Sequence, residues 1–539
     1  MSRWLCYLMN TLLCRIYRRE YLAFTRISDV EAQQRRKLMD LLVRNRNTAF
    51  GRRYGFQHMD SVADYQARVP LTTYEDYVED VAKIGFGEAD ILTRDRVVLL
   101  EPTSGSTAAT KLIPYTQGLK EEFQKGLKPW LYDLYTRTPG VRWGKSYWSV
   151  TPAATENRYS PGKIPIGFEE DSAYFGNLEK KMMDCVFAVP GHVSRISDMD
   201  DFYRETAGHL LLCRDLTLIS VWNPTFLFLL LEFMTRERDR VLDNVRQQKP
   251  RRAREVEEAL ETRNYESLWP RLQVISCWLD GHAAVHEEQL RKWFPRVLIQ
   301  PKGLLATEGF ISLPFVGEEG ARLSLGSHFF EFLDPDNDEI SLAHELQQGR
   351  LYEVIITTGG GLYRYRMKDL VEVAGFSGVF PLMKFRGKAD RVSDLFGEKL
   401  HEQLVEEILK RLELEMNLKS SFAMAAPEGD HYVLYLQLET KVENVKNKEH
   451  EKDLPGRNDK ADKFNHQLAT AFDEGLRTNF HYDYCRRLGQ LKPPRVFLLT
   501  GNPHQEYLEE CVNRGQRLGD VKPTALHLQG GWNQVFTGQ

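Results

Sequence analysis

Short apolar segments alternate with helical stretches along most of this sequence, and this alternation constrains the fold more than any other feature. The segments are rich in β-branched and aromatic residues and are bounded by turn residues, which is typical of strands. They read SYWSVTP (146–152), LQVISCWL (272–279), RVLIQPKGLLAT (296–307) and LYEVIITT (351–358). Helical stretches such as 200–213 and 224–246 separate many of them. The alternation predicts an α/β domain of layered sheets and helices with a largely parallel sheet.

The sequence changes character near residue 387, after FPLMKFRGKADRVSD. A charged helix at 399–413, two strands, a helix ending near Leu476 and a last strand at 495–500 are expected there. The tract 441–463 has almost no large apolar residues and is expected to be a solvated loop. A chain of 539 residues is too long for one ordinary core. We therefore expect a large domain of residues 1–386 and a smaller, mobile α+β domain of residues 387–539.

Composition excludes some classes of protein. The net charge is -4 and the sequence pI is near 6.4, which does not suit a nucleic-acid binder. No apolar run approaches the length of a membrane-spanning helix, so stable membrane insertion is not expected. The seven cysteines are scattered and odd in number, which favours reduced thiols and a cytoplasmic location. The chain is expected to act on small molecules.

The segment EPTSGSTAATKLIPYT (101–116) is rich in hydroxyl and small side chains and carries one lysine, Lys111. Small residues let backbone N–H groups approach an anion closely, and a lysine at the edge adds a charge. The segment is not a Walker-type loop, because no second glycine precedes Lys111. The residues alone leave two interpretations open, a phosphate-binding loop and an ordinary surface loop.

Three later segments carry further candidates. Glu308, in KGLLATEGF, is able to hold Mg²⁺ through a hard carboxylate oxygen or to be a solvated loop residue. Asp369, in GGGLYRYRMKDL, is able to accept both hydroxyls of a ribose, and the arginines of this segment suit phosphate. The alternative for this segment is a twisted strand with an exposed charged face. Gly and charged residues in FRGKADRVSDLFGEKLHE (385–402) lie where a hinge is needed.

Aromatic and histidine residues in the middle of the chain have two interpretations. Trp222 in SVWNPTF and Trp278 in CWLDGH are either core residues or part of a pocket for an acyl group. His282 and His286 have the i, i+4 spacing of a metal pair, but no third ligand is evident, and a helix surface is favoured.

The order of these segments resembles the adenylating superfamily of acyl-CoA synthetases, luciferase and peptide-synthetase adenylation domains. The sequences of these motifs most resemble those of one branch, the auxin-responsive acyl-acid amido synthetase family. The segments that carry the resemblance are RNTAFGRRYGF, TSGST followed by KLIPYT, TTGGGLYRYRMKDLVEV and GNPHQEYLEECVNRGQRLGDVKPTAL. It covers nearly the whole chain. The resemblance implies a ligase that forms an acyl-adenylate from ATP and a small carboxylic acid, and then transfers the acyl group to an amino acid.

The resemblance also implies roles for residues of the large domain. The hydroxyl-rich motif that contacts the phosphates of ATP falls on Thr103, Ser104, Gly105, Ser106 and Thr107, and Lys111 closes it. Thr307 and Glu308 match a Ser-Glu pair, with Glu308 as Mg²⁺ ligand and catalytic group. Asp369 matches the ribose-binding aspartate, and Arg366 matches the arginine three residues before it.

In the small domain, Lys399 and Lys522 match two lysines of the family, and either one is expected to reach the active site. Asp390 is the candidate for the hinge between the domains. Three positions depart from the family pattern: Ala108 and Lys368 replace glycines, and Leu304 replaces a tyrosine near adenine. Transfer to CoA or another thiol, and a catalytically degenerate nucleotide-binding scaffold, are the alternatives.

Overall fold

The computed structural model describes residues 2–103, 111–149, 158–167, 177–196, 198–222, 224–335, 337–389, 392–393, 395–396, 398–439, 457–516 and 521–538. The chain divides into two compact units. Residues up to Arg386 belong to the large unit, and Gly387–Gly515 with Val521–Gln539 belong to the small unit. The roles predicted for these two parts of the chain stay predictions.

The helices of the large unit are α1 (Arg3–Thr25), α2 (Val30–Asn45), α3 (Ala49–Tyr54), α4 (Val62–Arg68), α5 (Val78–Gly85), α6 (Gln117–Arg137), α7 (Asn177–Val186), α8 (Met199–Leu212), α9 (Pro224–Arg236), α10 (Arg238–Gln248), α11 (Pro250–Glu261), α12 (Tyr265–Leu268) and α13 (Glu287–Trp293). Several begin at the polar residues that such ends favour: the Thr116 hydroxyl, for example, accepts a hydrogen bond from Leu119 N at the start of α6.

The strands of the large unit are β1 (Val97–Pro102), β2 (Leu112–Thr116), β3 (Lys145–Trp148), β4 (Arg158–Tyr159), β5 (Pro165–Ile166), β6 (Leu216–Ser220), β7 (Val274–Cys277), β8 (Leu298–Pro301), β9 (Leu305–Ala306), β10 (Gly309–Phe310), β11 (Ser312–Pro314), β12 (Ala321–Leu323), β13 (Phe329–Leu333), β14 (Ile340–Leu342), β15 (Leu351–Thr357), β16 (Tyr365–Ser377) and β17 (Phe380–Lys388).

The largest sheet is antiparallel, which corrects the expectation of a largely parallel one. It has seven strands in the order β11-β12-β17-β16-β15-β13-β14. The pairs β13–β15 and β15–β16 are both antiparallel. LYEVIITT is one of the segments whose alternation with helices predicted a largely parallel sheet. It forms β15, which is buried on both faces in the middle of the antiparallel sheet.

A second sheet is parallel throughout and has the order β3-β6-β7-β8. Its connections contain helices, among them α8, α9 and α13. These helices and the strands bury one apolar core that includes Ile219, Ile275 and Ile299. In such sheets the carboxyl ends of the strands meet at one edge, where ligands bind.

Two smaller groups of strands complete the large unit. The sheet β2-β1-β5-β4 contains the hydroxyl-rich segment between its first two strands, and β9 and β10 form a hairpin. The first 25 residues are mostly helix α1, which packs against α6. No helix in the described part of the chain is long and apolar enough to cross a membrane.

The small unit contains β18 (Val392–Ser393), β19 (Leu400–His401), α14 (Glu402–Glu415), β20 (Ser420–Glu428), β21 (His431–Leu438), α15 (Arg457–Leu476), α16 (Phe480–Arg487), β22 (Arg495–Leu498) and α17 (Pro503–Asn513). Its three-stranded sheet has the order β20-β21-β22. This order of elements agrees with the predicted α+β arrangement. The polar tract was expected to be a loop as far as residue 463, but α15 begins at Arg457.

Candidate functional site

Two of the predicted residues of the large unit, Glu308 and Asp369, lie near Tyr365, the first residue of β16. Burial raises the pKa of the Tyr365 phenol well above its usual range, and the nearby carboxylates of Glu308, Glu75 and Asp369 raise it further. Tyr365 is 4% exposed. Glu308 and Asp369 come from segments that are far apart in the sequence, and the fold places both near one buried ring. We refer to Lys111, Glu308, Tyr365 and Asp369 as the candidate site.

The hydroxyl-rich segment connects the antiparallel strands β1 and β2, so the residues at its two ends lie next to each other. Pro102 pairs with Leu112, and Thr103 N donates to the carbonyl of Lys111 at 2.9 Å. The predicted phosphate contacts at Ser104, Gly105, Ser106 and Thr107 lie outside the described residues, as does Ala108. Their roles stay predictions.

Lys111 lies where β2 begins and faces the segment before α5. Its Nζ is 4.0 Å from Oε1 of Glu75 and 5.6 Å from the centre of the Tyr74 ring. Backbone and Thr73 hydrogen bonds lower the pKa of Glu75, and the charges of Lys111 and Lys368 lower it further. The Lys111 ammonium thus lies near a carboxylate at the edge of the candidate site, and its predicted contact with ATP stays a prediction.

Thr307 and Glu308 form the tight turn between β9 and β10. The hydroxyl of Tyr115 on β2 donates to the carbonyl of Thr307 at 2.7 Å, so the turn is fixed to the strand that follows Lys111. Glu308 is half-buried. No group of three His, Cys, Asp or Glu side chains able to hold a metal occurs in the described segments. A single carboxylate fits Mg²⁺, which usually binds one or two protein carboxylates together with phosphate and water oxygens.

Asp369 lies in a β-bulge of β16. Glu353 pairs with Leu370, whereas Ile355 pairs with Arg366, so β16 carries extra residues between these pairs. Lys368 has φ of 62°, in the left-handed region that favours glycine. This conformation explains why a glycine suits the position before Asp369, and Lys368 adopts it here.

Arg366 forms a two-bond ion pair with Glu353, at 2.8 Å for Nε and 2.6 Å for Nη2. The guanidinium thereby joins β16 to β15, and hydrogen bonding to Glu353 raises the pKa of Arg366. Its predicted contact with ATP stays a prediction.

Behind the candidate site, Glu122 of α6 forms a buried polar network that the sequence analysis missed. Its carboxylate accepts hydrogen bonds from Lys37 Nζ, from His328 Nδ1 at 3.0 Å and from Gly359 N at 2.8 Å. Burial disfavours the charged form, but the nearby Lys37 and His328 outweigh it and lower the pKa of Glu122 to about 2. The network holds the first glycine of the GGG segment, which leads to β16. The sequence signal for this network is Glu122 itself, a charged residue that shares a helix face with the apolar Leu119 and Phe123.

The lysines predicted for catalysis in the small unit are both exposed. Lys399 has φ of 45° and its carbonyl accepts from Asn479 Nδ2 at 3.1 Å. The residue before it, Glu398, is fully buried and accepts from the Tyr432 hydroxyl and from Leu395 N. The carbonyl of Lys522 accepts from the Tyr507 hydroxyl at 3.1 Å.

The hinge candidate Asp390 lies outside the described residues. The expected helix surface at His286 is wrong, since His286 is 6% exposed and its Nε2 lies 3.5 Å from the hydroxyl of Thr225.

The fold is that of adenylate-forming ligases. A solved structure of 2-hydroxyisobutyryl-CoA ligase superposes with a TM-score of 0.51 at 10% identity, over 93% of this chain and 89% of that one. The structure titled AtGH3.15 acyl acid amido synthetase in complex with 2,4-DB superposes with a TM-score of 0.81 at 18% identity, over 97% of this chain and 95% of that one.

The particular family follows from domain models along the sequence. The GH3 family N-terminal domain matches residues 24–299, the central domain 322–388 and the C-terminal domain 401–529. The chain belongs to the GH3 family, which confirms the predicted resemblance. One relative is the indole-3-acetic acid-amido synthetase GH3.4 of Arabidopsis thaliana, 22% identical over 464 residues that cover 76% of each chain. Relatives of this chain are thus acid-amido synthetases, enzymes that conjugate carboxylic acids to amino acids.

Proposed function

We propose that this protein is an ATP-dependent acid–amino acid ligase that works in two steps. In the first step, a carboxylate oxygen of the acid attacks the α-phosphorus of ATP, which forms the acyl-adenylate and releases pyrophosphate. In the second, the amine of an amino acid attacks the acyl carbonyl and AMP leaves with the electron pair of the broken bond. The amine loses a proton, and the product is an amide.

The observation that supports this proposal most is that Glu308 and Asp369, from two segments that the sequence analysis assigned to ATP, both lie near Tyr365, and that Lys111 lies beside Glu75, which is also near Tyr365. Lys111 supplies a charge for phosphate at the start of β2. The buried Asp369 suits two ribose hydroxyls, because a carboxylate accepts several hydrogen bonds. Charge that develops on phosphate in the transition state needs fixed donors and cations, and this arrangement supplies them.

Glu308 is the residue that we propose to hold Mg²⁺. The metal, when bound, would neutralise charge on the phosphates during acyl-adenylate formation. The backbone of the Thr307–Glu308 turn is held by Tyr115, so the turn that carries this carboxylate is anchored to β2. We further propose that the enzyme is cytoplasmic and that Lys399 or Lys522 of the small unit assists one of the two steps.

The test is ATP–pyrophosphate exchange with pooled small carboxylic acids, followed by mass spectrometry of products formed with pooled amino acids. We expect exchange that depends on an acid, and an amide product that depends on an amino acid. CoA in place of the amino acids tests transfer to a thiol. Acid-dependent exchange that yields only a thioester would overturn the amide assignment, and no exchange with any pool would favour the degenerate scaffold.

A matched pair of variants tests the site itself. Glu308→Gln keeps the shape of the side chain and removes its charge, and we expect exchange to fall at least about a hundredfold, or about 2.7 kcal/mol. Glu319→Gln changes an exposed glutamate of the same unit and should leave exchange unchanged. Equal exchange in the two variants would end the metal assignment.

A further inference from the structure

A row of polar side chains crosses the parallel sheet near the carboxyl ends of its strands. Trp148 of β3 pairs with Ser220 of β6, Ser220 with Ser276 of β7, and Ser276 with Gln300 of β8. Side chains alternate between the two faces along a strand, and residues in register across a parallel sheet share a face. These four residues, the polar row, therefore line one face of the sheet. Polar residues are unexpected in such a row, since parallel strands covered on both faces are usually apolar.

The polar row has unmet hydrogen-bonding capacity. Trp148 Nε1, Ser276 Oγ and Gln300 Nε2 are buried and have no hydrogen-bond partner in the described part of the protein. Trp130 Nε1 of α6 donates to Gln300 Oε1 at 3.1 Å, which fixes the amide orientation and leaves Nε2 as a donor directed elsewhere. Buried polar groups are nearly always paired, and leaving one unpaired is costly. Two N–H donors and a hydroxyl in one row are therefore able to bind an acceptor from outside the protein chain.

A buried lysine lies against the same row. Lys302 follows β8 on the same face as Gln300, is 6% exposed, and its Nζ donates to Ser220 Oγ at 2.8 Å. The ammonium is 4.9, 5.0 and 5.8 Å from the ring centres of Trp130, Trp222 and Trp148. We call Lys302 and these three rings the tryptophan cage. Trp148 and Trp222 are only half-buried, which gives the cage an accessible side.

We propose that the polar row and the tryptophan cage bind an anionic group of the acyl-acid substrate, at the end remote from the carboxylate that reacts. An ammonium beside two unpaired N–H donors suits a carboxylate or a similar anion, because charge-assisted hydrogen bonds are the strong ones. The rings suit an apolar or aromatic body between the two ends of the acid. The substrate class is thus a dicarboxylic acid, or another acid with an anionic tail.

The separation between the cage and Glu308 has an upper limit, which an acid with two anionic ends is able to span. Lys302 and Glu308 lie on one continuous segment that leaves β8, and a chain of that length spans at most about 20 Å. A cation held on the reacting carboxylate would stabilise the substrate more than the transition state, in which that charge passes to phosphate. A cation on a second anionic group stabilises both states equally and selects the substrate. The statement that the bound acid is the substrate of the ligase rests on the proposed function, whereas the anion-binding site is argued from its geometry alone.

The test measures binding without ATP, through the tryptophan fluorescence that the cage itself provides. The probes are straight-chain dicarboxylates of increasing length, with end-to-end distances up to about 20 Å, and the monomethyl ester of each. An ester has the same length and lacks one anion. We expect wild-type protein to bind at least one dicarboxylate at least about tenfold more tightly than its ester.

Three variants test the residues. Lys302→Met should reduce the dicarboxylate-to-ester ratio to within about threefold. Gln300→Glu keeps the acceptor for Trp130 but places a negative charge where Nε2 was, and should reduce the ratio in the same way. Ser276→Ala removes an unpaired buried hydroxyl, so it should raise the melting temperature of the free protein while weakening dicarboxylate binding. Lys292→Met changes an exposed lysine of the neighbouring helix α13 and is the matched control.

The inference fails if wild-type protein binds each dicarboxylate and its ester equally, or if the ratio survives in both Gln300→Glu and Lys302→Met. Gln300→Glu and Ser276→Ala keep the test decisive if Lys302→Met does not fold. Pyrophosphate exchange is measured separately. If binding depends on Lys302 but no acid supports exchange, the ligase proposal is refuted and the anion-binding site stands. If exchange occurs but the protein shows no preference for dicarboxylates, the ligase proposal stands and the anion-binding site is refuted.

Discussion

Replacing Glu122 with glutamine should destabilise the large unit far more than the small chemical change suggests. The carboxylate accepts from three donors, one each on Lys37, His328 and Gly359. A glutamine presents an NH₂ group where one of these donors points, and it leaves the ammonium of Lys37 without its buried counter-charge. His328 Nε2 accepts from Phe310 N at 2.9 Å, so Nδ1 carries the proton and cannot become an acceptor to compensate.

The size of the effect follows from the titration of this group. The pKa of Glu122 is lowered from 4.5 to about 2. At about 1.4 kcal/mol for each pH unit, the difference corresponds to about 3 kcal/mol of folding free energy at neutral pH. Removing one partner of a buried ion pair typically costs about 3–5 kcal/mol, which agrees. Because the folded-state pKa lies below the unfolded one, this stabilisation is complete above about pH 4.5 and is lost as the pH falls toward about 2.

Urea denaturation near neutral pH, followed by tryptophan fluorescence, measures this loss. Glu121→Gln is the matched control, because Glu121 is the exposed neighbour on the same helix and should cost less than about 0.5 kcal/mol. The difference between wild type and Glu122→Gln should shrink as the pH is lowered below 4.5. Equal losses in the two variants, or a difference that does not change with pH, would refute the reasoning. Adding Lys37→Met to Glu122→Gln should recover part of the loss, since it removes the unpaired charge.

Three further predictions concern the residues assigned to ATP, the two lysines of the small unit and the bend before Asp369. Asp369→Asn should weaken ATP binding at least about tenfold, or about 1.4 kcal/mol, in calorimetric titration; unchanged affinity would make Asp369 purely structural. Lys399→Ala and Lys522→Ala should lower turnover while the ATP dissociation constant stays within about threefold, whereas Lys111→Ala should mainly weaken ATP binding; normal turnover in both small-unit variants would leave the chemistry to the large unit. Lys368→Gly should raise the free energy of unfolding by about 0.5–1 kcal/mol, because the left-handed conformation costs lysine about 1–2 kcal/mol and the added chain entropy of glycine offsets only about half of that; a loss of stability would show that Lys368 makes a compensating contact.

Sequence periodicity predicted the type of most elements but not how the strands pair. The segments that became β3, β7 and β8 were expected in a parallel sheet and lie in one, whereas β6 between them was not predicted. The segment that became β15 was expected to be parallel and is antiparallel, because a strand that is buried on both faces has the same apolar composition in either kind of sheet. In the small unit, the β20–β21 hairpin was predictable because Gly429, with φ of 67°, marks its tight turn.

Lys111, Glu308 and Asp369 were identifiable as candidates from the sequence because they lie in short segments of unusual composition, and their roles stay predictions. The groups that position them were not. Glu122, Lys37 and His328 are far apart in sequence, and only the fold shows that they meet. The polar row was hidden for the same reason: Trp148, Ser276 and Gln300 are single polar residues in separate apolar runs, and register between strands is a tertiary property.

The buried glutamate beside Lys399 determines how far this lysine is able to travel. Glu398 is held by Leu395 N and Phe396 N on its own turn and by Tyr432 of β21, so the backbone at Lys399 is anchored to the sheet of the small unit. The ammonium group therefore samples only the space that its own side chain can sweep, and any larger displacement has to be made by the small unit as a rigid body.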